Sequence, residues 1–299
     1  MELFRGTNLL EFTDYFSTED KCYEYLASIK WTNGYVCKKC GHTHYVERDK
    51  HSRMCSKCKT TESTTSRTLL HKLKFNIRKA FMIMFEMTVS SKGLSSLQIS
   101  KRYDINYKTA LRFTNKIREA MQSSNKYPLS GLVEVDEFTI GSKEKGKVGR
   151  SKDTKKVKAI IGLELTKSGD KIKRVYFEQI EDYSSKSLTQ FFDKKISKEA
   201  KVKTDKWRGY LPLKEAYKAL EQEKSKNGEN FPKIHIVIHQ VKTWIRTIFS
   251  GVKKDNIQKY FDEFSFRLNR SIFKDTIFHK LVERMVAIDI KLNEVCVNT

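Results

Sequence analysis

The sequence predicts an α/β (α+β) chain in three parts. Three observations carry that prediction: two Cys-x-x-Cys pairs near the N-terminus, a helical period from Ile77 to Met121, and strand alternation beyond Pro128. The 299 residues suffice for two or three domains, with expected bounds at 1–70, 71–127 and 128–299. Lys and Arg number 59 against 36 Asp and Glu, a net charge of +23 that points to a polyanionic partner. With 38% hydrophobic and 11% aromatic residues the chain can bury a core, which excludes a wholly disordered protein. Its first residues lack the layout of a secretory signal, and no apolar run reaches the ~18 residues of a membrane span, so a cytoplasmic setting without disulfides is expected.

In the first part, Cys37-Lys-Lys-Cys40 and Cys55-Ser-Lys-Cys58 are separated by 14 residues. Each pair makes a tight knuckle whose thiolates converge on one ion, so Cys37, Cys40, Cys55 and Cys58 are expected to close a tetrahedral sulfur cage around structural Zn²⁺. Short β pieces such as 45–48 would carry the knuckles, and metal binding would supply folding energy that so small a module lacks. Unliganded or redox-active thiols are the alternative. Cys22 and Cys296 are isolated and read as small apolar residues. Lys38, Lys39, Arg48, Lys50, Arg53, Lys57 and Lys59 rim the cage, as a phosphate-contacting surface or as a merely solvated one.

In the second part, Ile77, Phe81, Met84, Phe85 and Val89 recur at helical spacing before a Lys92-Gly93 stop. Ser95-Ser-Leu-Gln98 reads as a capping box opening a short helix, and Asn106 can cap a longer one with Ala110, Phe113, Ile117 and Met121 on its apolar face. The other face carries Lys108, Thr109, Arg112 and Lys116. A short helix, a tight turn and a longer basic helix make a helix-turn-helix whose last helix can enter a major groove, although any three-helix bundle shows a similar pattern.

In the third part, the stretch 131–141 alternates as a strand and places Asp136 on the face opposite Val133 and Val135. Strands are expected at 157–166 and 171–180, then a helix capped by Ser185, then a strand 200–204 ending at Asp205. Three antiparallel strands, a helix and a strand with an acid at its end follow the order of an RNase H-like fold. In that fold, carboxylates from the central strand and its neighbour clamp two Mg²⁺ or Mn²⁺ ions. Glu134 shares the face of Asp136 and is an alternative ligand, whereas Glu137 points to the opposite face. The span 143–158 holds eight basic residues against two acidic ones, with Lys143, Lys145, Lys147, Arg150, Lys155 and Lys156 expected to grip DNA, or simply to be solvated. Trp207 and Tyr210 read either as base-stacking groups or as core.

The runs Val135-Asp136-Glu137, Ile140-Gly141, Thr204-Asp205-Lys-Trp-Arg-Gly-Tyr210 and 260–270 together resemble a bacterial insertion-sequence DDE-type transposase of the ISXO-like group, related to the eukaryotic Merlin elements. The resemblance covers nearly the whole chain, zinc ribbon included. It implies binding of double-stranded DNA at element terminal inverted repeats and in target DNA, metal-dependent strand cleavage and strand transfer, and a homo-oligomer, at least a dimer on DNA. Asp136 and Asp205 fall on the first two acids. The usual third residue, a glutamate seven before a lysine, is here His235 before Lys242, with His239 and Glu263 as alternatives. A neutral imidazole ligates a metal without adding negative charge, which favours Mn²⁺ over hard Mg²⁺. Lys242 would contact a terminal phosphate or base. A catalytically decayed, sequence-specific DNA-binding protein and a non-transposing nuclease are the rival readings.

Overall fold

The computed structural model describes residues 2–141, 155–224, 230–249 and 251–288. The chain divides into two compact units, Met1–Met121 with Ile272–Thr299, and Gln122–Ser271. No helix among the described residues is long and apolar enough to cross a membrane.

In the first unit, helices α1 (Leu9–Tyr15) and α2 (Glu19–Lys30) start at Asn8 and Thr18, whose side chains accept from the free N–H groups of the first turn. The ribbon follows as three antiparallel strands, β1 (Tyr45–Arg48), β2 (Ser52–Cys55) and β3 (Thr61–Glu62). Helix α3 (Ile77–Val89) is capped by Asn76 and buries Phe81, Met84 and Phe85 as the sequence predicts. The Ser95–Gln98 capping box opens α4 (Ser96–Tyr103), and Asn106 accepts from Lys108 N–H at the start of α5 (Tyr107–Met121). The C-terminal helix Ile277–Ala287 completes this unit, although the sequence reading places it in 128–299. Its Phe278 lies among Phe4, Phe12, Phe16, Tyr25, Phe81 and Phe85, with ring centroids 4.9 Å from Phe12 and 5.6 Å from Phe16 and Phe81. Burial of these rings and their edge-to-face contacts hold the unit together.

The second unit is built on a five-stranded sheet. Strands β4 (Leu132–Ile140), β5 (Val157–Leu165) and β6 (Ile172–Ile180) form an antiparallel meander. After α6 (Ser185–Lys195), β7 (Lys201–Asp205) adds parallel to β4. A 3-10 segment, Arg208–Glu215, leads to β8 (Leu220–Glu223), parallel to β7 at the edge. The order β6-β5-β4-β7-β8 makes β4 central and is the RNase H-like arrangement the sequence predicts. The cap of α6 is Ser184 rather than Ser185, because Ser184 Oγ is the atom that reaches Ser187 N–H. Helices α7 (Pro232–Ile248) and α8 (Ile257–Leu268) follow.

The alternation of β4 separates two cores. Val133 and Val135 pack with Leu188, Phe191 and Phe192 of α6, and Phe138 packs with Val241 of α7 and Phe261 of α8. Gly162 pairs with Val135, and a Cβ there would stand 2.9 Å from Leu129 Cδ1 and 3.1 Å from Phe191 Cζ, so the close approach of α6 requires glycine. Glu164 on β5 is buried, and Arg174 and Lys173 satisfy it at 2.5 and 2.7 Å.

Candidate active site and metal centres

The β4–β7 ladder ends at the pair Val135 and Thr204, so Asp136 and Asp205 lie side by side just beyond it. In-register neighbours on parallel strands share a face, which aims both carboxylates to the α7 side. One oxygen of each is held by backbone: Glu137 N–H donates to Asp136 Oδ1 at 2.8 Å, and Trp207 N–H to Asp205 Oδ1 at 3.0 Å. The Trp207 turn is itself fixed by Gln222 of β8, whose Nε2 donates to the Asp205 and Trp207 carbonyls at 3.1 and 2.9 Å, and by Trp207 Nε1 donating to the Tyr183 carbonyl.

A third carboxylate joins them. Carboxylate oxygens of Asp136, Glu137 and Asp205 lie within 4.8 Å of one another. The alternation sets Glu137 on the opposite face, toward Tyr210, yet the β7 ladder has already ended at Val135 and its side chain still reaches the pair. Tyr210 is fully buried. Burial, then the charges of Glu137, Asp136 and Asp205, push its hydroxyl well above the usual range, so it keeps its proton.

The structure brings His235 of α7 to 3.9 Å from Asp136 Oδ2 but not into the three-carboxylate group. Burial and then the Lys242 charge lower its imidazole below the ordinary value, which leaves it neutral at pH 7. Lys242 lies over the Phe138 ring at 5.4 Å, and burial lowers its ammonium against the pull of Asp136. His239 is exposed and joins no ligand group among the described residues. Glu263 is wholly buried beside Arg267 at 3.8 Å and is a structural carboxylate. Glu134 is drawn away from the metal site: it accepts from the Ile234 N–H at the start of α7, and burial raises its carboxyl. It thereby anchors the helix turn that carries His235.

In the ribbon, the four cysteine sulfurs also lie within 4.8 Å of one another, with Cys37–Cys58 at 3.5 Å and Cys40–Cys55 at 3.6 Å. Zinc–sulfur bonds of about 2.3 Å imply tetrahedron edges of about 3.8 Å, so the cage fits Zn²⁺. N–H groups of Cys40 and Lys39 lower Cys37, and the hydroxyl and N–H of Thr60 bring Cys58 to about 6. At Cys40 the His42 N–H is outweighed by burial and by the neighbouring Cys58, Cys55 and Cys37, which push its thiol up to about 12, so without a cation the cage holds thiolates at only some of its corners. Of the basic rim, Arg53 is sandwiched between Trp31 and Tyr45 at 4.3 and 4.0 Å, so its guanidinium is committed to packing.

On α5, Lys108 and Arg112 are exposed and Thr109 is half-buried. Lys116 donates to the His71 carbonyl at 3.2 Å and is partly buried, which lowers its ammonium. Lys155 is exposed and Lys156 half-buried, while Lys143, Lys145, Lys147 and Arg150 lie outside the described residues, as does Cys296. Tyr210 is a core group, and Trp207 is partly buried against that core, with its ring nitrogen committed to the Tyr183 carbonyl. Gln222 is the site residue that sequence reasoning missed, while Glu134 stood as an alternative ligand and Glu137 was set on the opposite face. For Glu137 the available signal was its adjacency to Asp136 in Val135-Asp136-Glu137.

Acids side by side just beyond the last pair of two neighbouring parallel strands in an RNase H-like sheet define a fold of the polynucleotidyl-transferase type. Residues 128–269 match the ISXO2-like transposase domain, and residues 17–61 match the transposase zinc-ribbon domain. The chain therefore carries an ISXO2-like transposase domain and a transposase zinc-ribbon domain. It is also similar to a Halobacterium salinarum protein described as "Uncharacterized protein in transposable element ISH50", 26% identical over 136 residues that cover 44% of this chain and 45% of that one. The chain thus spans less than half the length of that curated relative.

Proposed function

We propose that this protein is a DNA transposase that binds the ends of an insertion sequence and carries out metal-dependent strand cleavage and strand transfer. The observation that carries the reading is the side-by-side placement of Asp136 and Asp205 just beyond the last β4–β7 pair. Their oxygens suit Mg²⁺ or Mn²⁺, which when bound activates a water or 3′-hydroxyl and stabilises the departing oxygen. The chain's own part is positional. Backbone N–H groups of Glu137 and Trp207 fix both carboxylates, neutral His235 stands beside Asp136, and Lys242 offers a cation to a DNA phosphate near the cut. Lys108 and Arg112 on α5, with Lys155 and Lys156, present positive charge to the backbone of double-stranded DNA, and the ribbon holds structural Zn²⁺. Terminal inverted repeats and target DNA would be joined by at least a dimer on bacterial chromosomal DNA.

The test is cleavage of DNA carrying the sequences that flank this reading frame, in Mg²⁺ and in Mn²⁺. Nicks at defined end positions are expected from the parent chain. Asp136→Asn should lower the rate by at least ~10³-fold while DNA affinity changes less than about threefold, since removal of a charge that stabilises the transition state costs on that order. Tight binding without cutting in either metal would favour the decayed DNA-binding reading instead.

A further inference from the structure

We infer that Glu137 is the third carboxylate ligand of the metal site, held in place by the buried hydroxyl of Tyr210, and that His235 lies outside the ligand set. This rests on the metal-dependent reading above.

Two independent features lead to it. The first is placement: Glu137 contributes a carboxylate oxygen to a group whose members all lie within 4.8 Å of one another, and His235 does not. Such spacing suits oxygens sharing hard divalent cations, and a third carboxylate supplies charge that a neutral imidazole lacks. The second is Tyr210. It is 0% exposed, its hydroxyl meets no hydrogen-bond partner of standard geometry among the described residues, and the acid acting most strongly on it is Glu137. Burying an unsatisfied hydroxyl costs about 1–3 kcal/mol, so a polar end aimed into the carboxylates calls for a polar role there. Donation to one Glu137 oxygen would leave the other directed at the ion, the way outer-shell donors orient first-shell ligands.

The backbone supports that role. Tyr210 follows Gly209, where a Cβ would stand 2.6 Å from Trp207 Nε1, so the Trp207–Tyr210 turn admits no larger residue at its centre. The same turn delivers the Trp207 N–H to Asp205. One tight segment therefore fixes Asp205 by its backbone and Glu137 by its tyrosine.

Mn²⁺ titration into the zinc-loaded full chain without DNA, followed by electron paramagnetic resonance, tests the assignment independently of catalysis. Glu137→Gln is isosteric and should weaken Mn²⁺ binding by about tenfold or more, Tyr210→Phe by about tenfold, and His235→Ala by less than about threefold. Parent-like Mn²⁺ affinity in Glu137→Gln, or a larger loss in His235→Ala, would overturn the inference. Asp136→Asn separates the two levels of argument. If it too leaves Mn²⁺ binding intact, the metal-site reading fails; if it abolishes binding while Glu137→Gln does not, only the role of Glu137 fails. Should Glu137→Gln not fold, judged by zinc content and thermal melting, Glu137→Asp decides. Its reach is shorter by one methylene, and parent-like affinity there would count equally against the inference.

Discussion

Asp262 on α8 lines a cavity of about 550 Å³ shared with Glu178, Glu181, Lys194, Lys195 and Lys254. Burial outweighs the attraction of Lys195 and brings its carboxyl from 3.8 up to about 6, with Glu178 adding to the rise. A carboxyl that ionises less readily in the folded chain than in the unfolded one helps folding most below pH 3.8, and that help is lost as pH climbs to about 6. Asp262→Asn keeps the acceptor for Gln258 and removes the charge. It should therefore stabilise the fold at pH 7 by up to about 3 kcal/mol and have almost no effect at pH 3.5. Urea unfolding of both chains at the two pH values decides it, and equal increments would show that ionisation of Asp262 costs nothing. Asp136 and Asp205 were legible in the sequence because each sits in a short motif, Asp136 within a predicted strand and Asp205 at the end of one. Glu137 was not, since two-residue alternation assigns faces and not reach; beyond Val135 the β7 side of β4 has no ladder pair, and there the side chains of both faces can converge although β5 still pairs with Glu137.

At the scale of elements, β6 forms the sheet edge, and α8 seals it with amides that act as strand backbone. Gln258 accepts from Gln179 N–H at 2.8 Å and donates to the Phe177 carbonyl at 3.1 Å. Asn269, three turns on, accepts from Val175 N–H at 2.7 Å and returns a bond to its carbonyl at 2.9 Å. An unsealed edge is a template for another chain. Gln258→Leu with Asn269→Leu should cost about 1–3 kcal/mol per side chain and provoke concentration-dependent association, visible by light scattering. A double variant that stays as stable and as dispersed as the parent would show that water serves this edge equally well. None of this sealing was readable beforehand, because it depends on which helix packs along β6. Strands β4 to β7 were predicted to within a residue or so from alternation. Strand β8 was missed because Leu220-Glu-Gln-Glu223 carries a single apolar residue and gains its strand character from pairing with β7. The 3-10 segment Arg208–Glu215, with Pro212 inside it, shows no apolar period that separates it from a loop.

For the molecule as a whole, the telling feature is that both ends of the described chain build one unit while the sheet-bearing unit is a contiguous insert between Met121 and Ile272. A linear reading cannot see this: the C-terminal helix follows the catalytic segment directly and shows the apolar face of any packed helix, so it was assigned to its sequence neighbours. Its physical partners are aromatic rings more than 190 positions earlier, and Phe278 is the side chain that fills the space between them. Emptying that space by Phe278→Ala should cost about 3–5 kcal/mol. The loss belongs to one unit. Hydrogen exchange should quicken in α3, whose Phe81 and Phe85 touch Phe278, and stay unchanged in β5 at the centre of the sheet. If both accelerate together, the chain unfolds as one cooperative body and the division into units has no energetic meaning. If only α3 responds, the variant should still bind Mn²⁺ at Asp136 and Asp205 while losing affinity for DNA through α5, because the two functions then rest on separately stabilised folds.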